Sequence, residues 1–113
     1  MKDLIMLPKS QQDTLTKYMP NDETLKKLAE FFSMFSDSTR VKIITALCLG
    51  KMCVNDLSVA LNLNQTTVSH QLKFLKTFGA VMSEREGKII YYSIKNETIN
   101  DVMLNGVNYL LEA

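Results

Sequence analysis

The chain has 113 residues, of which 46% are hydrophobic and 22% charged, with a net charge of +1. Single domains most often run to about 100–150 residues, so one domain with one core is expected, and a chain this apolar is not disordered. No apolar run approaches the roughly 18 residues of a membrane span.

The apolar patch from Leu4 to Leu7 is closed by Pro8. A secretory signal needs a core of about 7–15 apolar residues, so the expected location is the cytoplasm, with no membrane partner. Two cysteines, Cys48 and Cys53, are too few for a disulfide scaffold, and one histidine, His70, leaves little room for zinc chemistry within a chain. No cofactor and no metal site are expected. The charge is uneven: residues 64–95 carry a net +3 and residues 96–113 a net −3. The basic stretch is a modest footprint for a polyanion.

Residues 1–22, with Pro8 and Pro20, read as an N-terminal arm holding one short helix around Gln11 to Tyr18. Residues 23–113 read as the folded domain. Asn21 or Asp22 caps its first helix, and Leu25, Leu28, Phe32 and Phe35 recur at helical spacing, with Phe31 widening the stripe. Asp37 caps a second helix that places Val41, Ile44, Leu47 and Cys48 on one face and stops at Gly50. A third spans Val54 to Leu61, with Cys53 at the cap, Asp56 in the acidic position of a capping box, and Leu57, Ala60 and Leu61 inward.

A short link leads to Asn64, the cap of a fourth helix from Gln65 to Phe78 with Val68, Leu72 and Leu75 inward. Two short helices so joined make a helix-turn-helix unit. The period then changes. Val81–Glu84 and Lys88–Ile94 predict a β-hairpin turning near Glu86-Gly87. A final helix from Glu97 to Leu111 carries Ile99, Val102, Met103, Gly106, Val107, Leu110 and Leu111 on one stripe.

The expected fold is mainly α with a small β-hairpin: a winged helix-turn-helix in the order helix, helix, helix-turn-helix, wing, helix. The apolar stripes of the first and last helices exceed what so small a core needs. Either they dimerise the chain or they close the monomer.

With Val68, Leu72 and Leu75 inward, the fourth helix turns Thr66, Ser69, His70, Lys73 and Thr77 outward. A helix in the major groove reads bases near its N-terminus and meets phosphate elsewhere. Gln65 suits adenine, and the methyls of Thr66 and Thr67 suit thymine, while Ser69 and His70 add polar contacts. Lys73 and Lys76 suit phosphate. The helix has no arginine, the commonest guanine reader, so an A·T-leaning site is expected. In the wing, Arg85 or Lys88 can meet the neighbouring minor groove or its phosphates. The competing reading is a solvated polar face and an exposed turn.

Cys53 sits at a helix N-terminus, two residues after Lys51, and both features favour a thiolate. It is the candidate sensing residue, with Cys48 beside it or as a small buried hydrophobe. No glycine-rich phosphate loop, nucleophile elbow or His-Glu-x-x-His occurs, so no enzyme is expected.

DSTR at the second helix, CVNDL at the third, TVSHQLKFL at the fourth and REGKIIYYSI in the wing together resemble the ArsR/SmtB family of bacterial winged-helix repressors. The resemblance spans about residues 23–112. It implies a cytoplasmic homodimer, built on the first and last helices, that represses from a palindromic double-stranded DNA operator until a small inducer releases it. The family's inducer sites carry over poorly. Cys53 matches the first cysteine of a Cys-x-Cys site, but Asn55 replaces the second. The last-helix zinc positions correspond to Asn96, Thr98, Tyr109 and Glu112, only one of them a usable ligand. Thiol chemistry at Cys53, an unusual metal site with Asp56, and no such sensing all stay open. The alternative function is a winged-helix protein–protein interaction module.

Overall fold

Side-chain caps start most of the helices. In this computed structural model residues 5–112 are described, so Leu4 of the apolar patch, the rest of the first four residues of the arm, and Ala113 lie outside the described residues. The chain divides into two units, residues 1–32 and 33–113.

The first unit holds α1 (Lys9–Tyr18) and nearly all of α2 (Asp22–Ser33). Helix α1 follows Pro8, whose fixed φ suits the residue before a helix, and starts two residues earlier than the sequence indicates. Helix α2 is capped by Asn21, whose Oδ1 accepts the Thr24 N–H at 2.8 Å. Of its predicted stripe, Leu25 and Phe31 are half-buried, while Leu28 and Phe32 stay exposed.

The second unit runs α3 (Ser38–Leu49), β1 (Met52–Cys53), α4 (Val54–Leu61), α5 (Gln65–Phe78), β2 (Val81–Glu86), β3 (Ile89–Ile94) and α6 (Glu97–Glu112). Asp37 caps α3 by accepting the Arg40 N–H at 2.9 Å. Asn64 caps α5 by accepting the Thr67 N–H at 2.7 Å. Gly79 ends α5 at φ 91°, a left-handed conformation that glycine adopts without a Cβ penalty, and the Ala80 N–H closes the turn on the Leu75 carbonyl at 2.9 Å.

The core gathers Met34, Ile43, Ile44 and Leu47 with Leu57 of α4, Val68, Leu72 and Leu75 of α5, Ala80 and Val81 at the root of the wing, and Ile99 of α6. Each large side chain buried this way contributes about 1.5–3 kcal/mol. The inward face of α5 is the one the sequence predicts. Helix α3 is rotated slightly from its predicted face: Ile43 and Ala46 are buried, while Val41 and Cys48 are only half-buried. In α4 only Leu57 is buried, with Leu61 half-buried and Ala60 exposed.

The wing differs from the predicted hairpin in two ways. Its strands are paired from Val81↔Ile94 out to Glu86↔Ile89, so the turn is centred on Gly87 and Lys88. The left-handed φ of 65° at Gly87 permits the tight reversal. The sheet also has a third strand. β1 pairs antiparallel with β3 through Met52↔Tyr92 and Cys53↔Tyr91, giving the order β1-β3-β2.

Candidate nucleic-acid interface

Helix α4, its turn and α5 form the helix-turn-helix. Helix α4 starts in a capping box: the Asp56 N–H donates to Cys53 Sγ at 3.5 Å, and the Cys53 N–H donates to the Asp56 carboxylate at 3.2 Å. It ends at Asn62 in a left-handed conformation, φ 54° and ψ 50°, which asparagine tolerates better than most residues. The Leu63 N–H then donates to the Ser58 carbonyl at 3.0 Å, and the Ser58 hydroxyl donates back to the Leu63 carbonyl. With Asn64 capping α5 directly afterwards, the angle between the helices is fixed by short-range hydrogen bonds. A further bond joins their first turns, from Gln65 Nε2 to Asn55 Oδ1 at 3.2 Å.

Of the predicted reading residues on α5, Gln65, Thr66, Ser69, His70 and Lys73 are exposed, while Thr67 is half-buried. Gln65 has one amide donor committed to Asn55, so two-pronged pairing with a base requires that bond to open. Lys76 is exposed too, and its Nζ donates to Ser83 Oγ of β2 at 2.7 Å. That bond links the recognition helix to the wing and leaves the ammonium with further donors for a phosphate.

Strand register separates the wing's charges. Residues paired across an antiparallel ladder share a face, and successive residues alternate. Ser83 and Arg85 therefore lie on one face with Tyr92 and Ile90, and Glu84 and Glu86 lie on the other with Tyr91 and Ile89. The Ser83–Lys76 bond shows that the Arg85 face is the one turned toward α5. On the opposite face Lys51 Nζ meets Glu86 Oε1 at 2.6 Å and stands over the Tyr91 ring at 5.1 Å. The hydrogen bond and charge of Glu86 raise the Lys51 pKa above its ordinary value. Lys88 is exposed in the turn itself.

The sequence reading missed a cluster beside the reading face. The Arg40 guanidinium lies 4.0 Å from the centre of the Phe74 ring. Its Nε donates to Gln71 Oε1 at 3.1 Å, and its Nη1 donates to the Ser33 carbonyl at 3.2 Å. Gln71 Nε2 in turn donates to Asp37 Oδ2 at 3.5 Å. The signal available in the sequence was Arg40 three residues after a cap, with Gln71 and Phe74 at i, i+3 spacing beside the predicted face.

Cys48 and Cys53 are both free thiols and both half-buried. Burial raises the Cys48 pKa above its ordinary value. Among the described residues no three His, Cys, Asp or Glu side chains gather as a metal site. Asp56 is already engaged with the Cys53 backbone.

A capped helix with an exposed polar-to-basic face, joined to a wing whose arginine face turns the same way, defines a winged helix-turn-helix DNA-binding protein. Comparison with known proteins agrees. A family model described as bacterial regulatory protein, arsR family, matches residues 37–82. The cadmium resistance transcriptional regulatory protein CadC of Listeria innocua is 41% identical over 80 residues, covering 70% of this chain and 67% of that protein. The transcriptional repressor SdpR of Bacillus subtilis is 35% identical over 80 residues, covering 68% of this chain and 89% of that protein. Among solved structures, the homodimeric winged helix-turn-helix DNA-binding domain Mb0332 of Mycobacterium bovis superposes with a TM-score of 0.71 at 26% identity, covering 84% of this chain and 90% of that one. The chain belongs to the ArsR family of bacterial transcriptional regulators, which are not enzymes.

Proposed function

We propose that the chain represses transcription as a cytoplasmic homodimer bound to a palindromic, A·T-leaning DNA operator. Residues 1–22 serve as an arm and residues 23–113 as the DNA-binding and dimerising domain. Gln65, Thr66, Thr67, Ser69 and His70 meet base edges in the major groove, and Lys73 and Lys76 meet phosphates. Arg85 approaches the adjoining minor groove, with Lys88 on the phosphates beside it. The observation that carries this reading is the exposed Thr66–Ser69–His70–Lys73 face on a helix capped at both ends. It is supported by one relative named as a transcriptional repressor and another named as a transcriptional regulatory protein.

Dimerisation is supported by the homodimeric relative and by the uncovered apolar side of α6. Release by a small thiol-reactive inducer acting at Cys53, with or without Cys48, is supported by two free thiols, one of which joins the first turn of α4 to the wing. No observation favours the protein–protein module.

Fluorescence anisotropy of the reduced, chelator-treated chain tests the reading. The probes are a duplex from upstream of its own gene and a random duplex, each at two salt concentrations. Selective binding that weakens steeply with salt is expected, and Lys73→Ala should flatten the log–log salt slope by about 1.8, the value of two lost phosphate contacts, one from each protomer of the dimer. Equal, weak binding to both duplexes in the absence of any inducer overturns it.

A further inference from the structure

Arg40 is held at its backbone, at both edges of its guanidinium and on its face. Its backbone N–H is held by Asp37 at 2.9 Å. Its guanidinium is held on its face by Phe74 at 4.0 Å, on its Nε edge by Gln71 at 3.1 Å, and at Nη1 by the carbonyls of Ser33 at 3.2 Å and Met34 at 3.5 Å. Gln71 and Phe74 belong to α5, while Ser33 ends α2 and Met34 and Asp37 belong to the corner that leads into α3. Phe74 is 39% exposed and borders His70 and Lys73 in a shallow depression along the outer side of α5.

The core holds the middle of α5 from below through Val68, Leu72 and Leu75, apolar contacts without directional preference, while the directional bonds Gln65–Asn55 and Lys76–Ser83 act near its two ends. Such contacts fix how deep a helix sits better than how far it is rolled about its own axis. A planar guanidinium differs. Its donors point in fixed directions, and stacking on a ring fixes its plane. Bonded at once to Gln71 and stacked on Phe74, one turn apart on the same helix, Arg40 resists rotation of α5. Any roll of α5 moves Ser69, His70 and Lys73 by the same angle.

We infer that Arg40 is a positioning residue for operator recognition: it sets the roll of the recognition helix through Gln71 and Phe74 without touching DNA itself. The inference rests on the proposed DNA-binding function and adds a specificity determinant outside the reading face. Lysine cannot replace it, because a compact ammonium has neither the fork nor the plane.

The test uses the full chain with the same two duplexes, reading specific affinity, random-duplex affinity, salt slope and thermal midpoint. Arg40→Lys, Arg40→Gln and Phe74→Leu are compared with Ile43→Val, a core variant that lowers stability without touching the cluster. In all three cluster variants the specific-to-random ratio should fall about tenfold, the scale of one lost base contact. Random-duplex affinity and salt slope should stay at the wild-type values. Phe74→Leu keeps the arginine, so it still reports if the Arg40 variants fold poorly.

An unchanged ratio in folded variants overturns the inference. So does a salt slope reduced by about 1.8, one phosphate contact per protomer, in Arg40→Gln but kept in Arg40→Lys, which marks a direct phosphate contact. An equal fall in Ile43→Val at matched stability assigns the effect to general loosening and overturns it as well. If the wild-type chain does not discriminate between the duplexes, the DNA-binding reading fails first and takes this one with it.

Discussion

Cys53 caps α4 with its sulfur, has its own N–H held by Asp56, and pairs with Tyr91 of the wing. Serine is a better cap than cysteine, so Cys53→Ser preserves the start of α4 while removing the thiol. This variant should keep its DNA affinity and thermal midpoint but lose the response to persulfides and soft metals. A full response in Cys53→Ser would place the sensing chemistry elsewhere. It also isolates Cys48. Burial holds that thiol above its ordinary pKa, so the reactive thiolate forms only at higher pH. Alkylation of Cys48 in Cys53→Ser, followed by mass spectrometry, should be slow at neutral pH and still rising with pH beyond 9.0, the ordinary value. Because a folded acid with a raised pKa keeps its proton longer than the unfolded chain does, Cys48 weakens the fold as pH climbs through that window.

At the scale of elements, what could be read from the sequence follows how local each signal is. Asn21, Asp37, Cys53 and Asn64 all cap, because a cap depends on a few consecutive residues. The inward face of α5 was legible because its three anchors keep strict helical spacing. β1 was not legible. A two-residue strand has no period, and it exists only because Met52 and Cys53 reach Tyr92 and Tyr91 some 40 residues later. Arg40 was missed for the same reason, since Gln71 lies 31 residues away. The wing turn was displaced because the sequence marks Gly87 clearly but not how far pairing continues beyond Glu84. The caps also predict energetics. Asn64→Ala should destabilise the chain by about 1 kcal/mol in denaturant titration, at the start of the proposed reading helix. A larger loss of DNA affinity than of stability is expected, because the unheld first turn carries Thr66 and Thr67.

At the scale of the molecule, the two apolar stripes are not consumed by their own units. In the first unit Leu28 and Phe32 remain exposed. In the second, Ile99 is buried and Val102 and Met103 are half-buried, but Val107 is 45% exposed, Leu110 72% and Leu111 80%. The C-terminal half of α6 is therefore not closed by its own unit. A contiguous apolar strip of this kind marks an interaction face. Leu110→Glu should shift the chain toward monomer in sedimentation velocity and weaken operator binding, because a palindrome requires two linked reading helices. Its thermal midpoint at low concentration should change little, since Leu110 lies outside the core. A dimer that survives this substitution would move the interface off α6.

The two-residue strand β1 has a mechanical consequence. It clamps β3 at Tyr91 and Tyr92, so the hairpin is a short cantilever rather than a swinging arm. Only Ile89, Ile90, the turn and the facing end of β2 overhang the clamp, a free length of roughly 7 Å at about 3.3 Å per residue. Arg85, opposite Ile90, rides on that overhang, while Ser83, opposite Tyr92, sits at the clamp. In the proposed complex, small differences in groove width would be met by bending the tip. Larger ones must displace α4 as well, since Cys53 is shared between them.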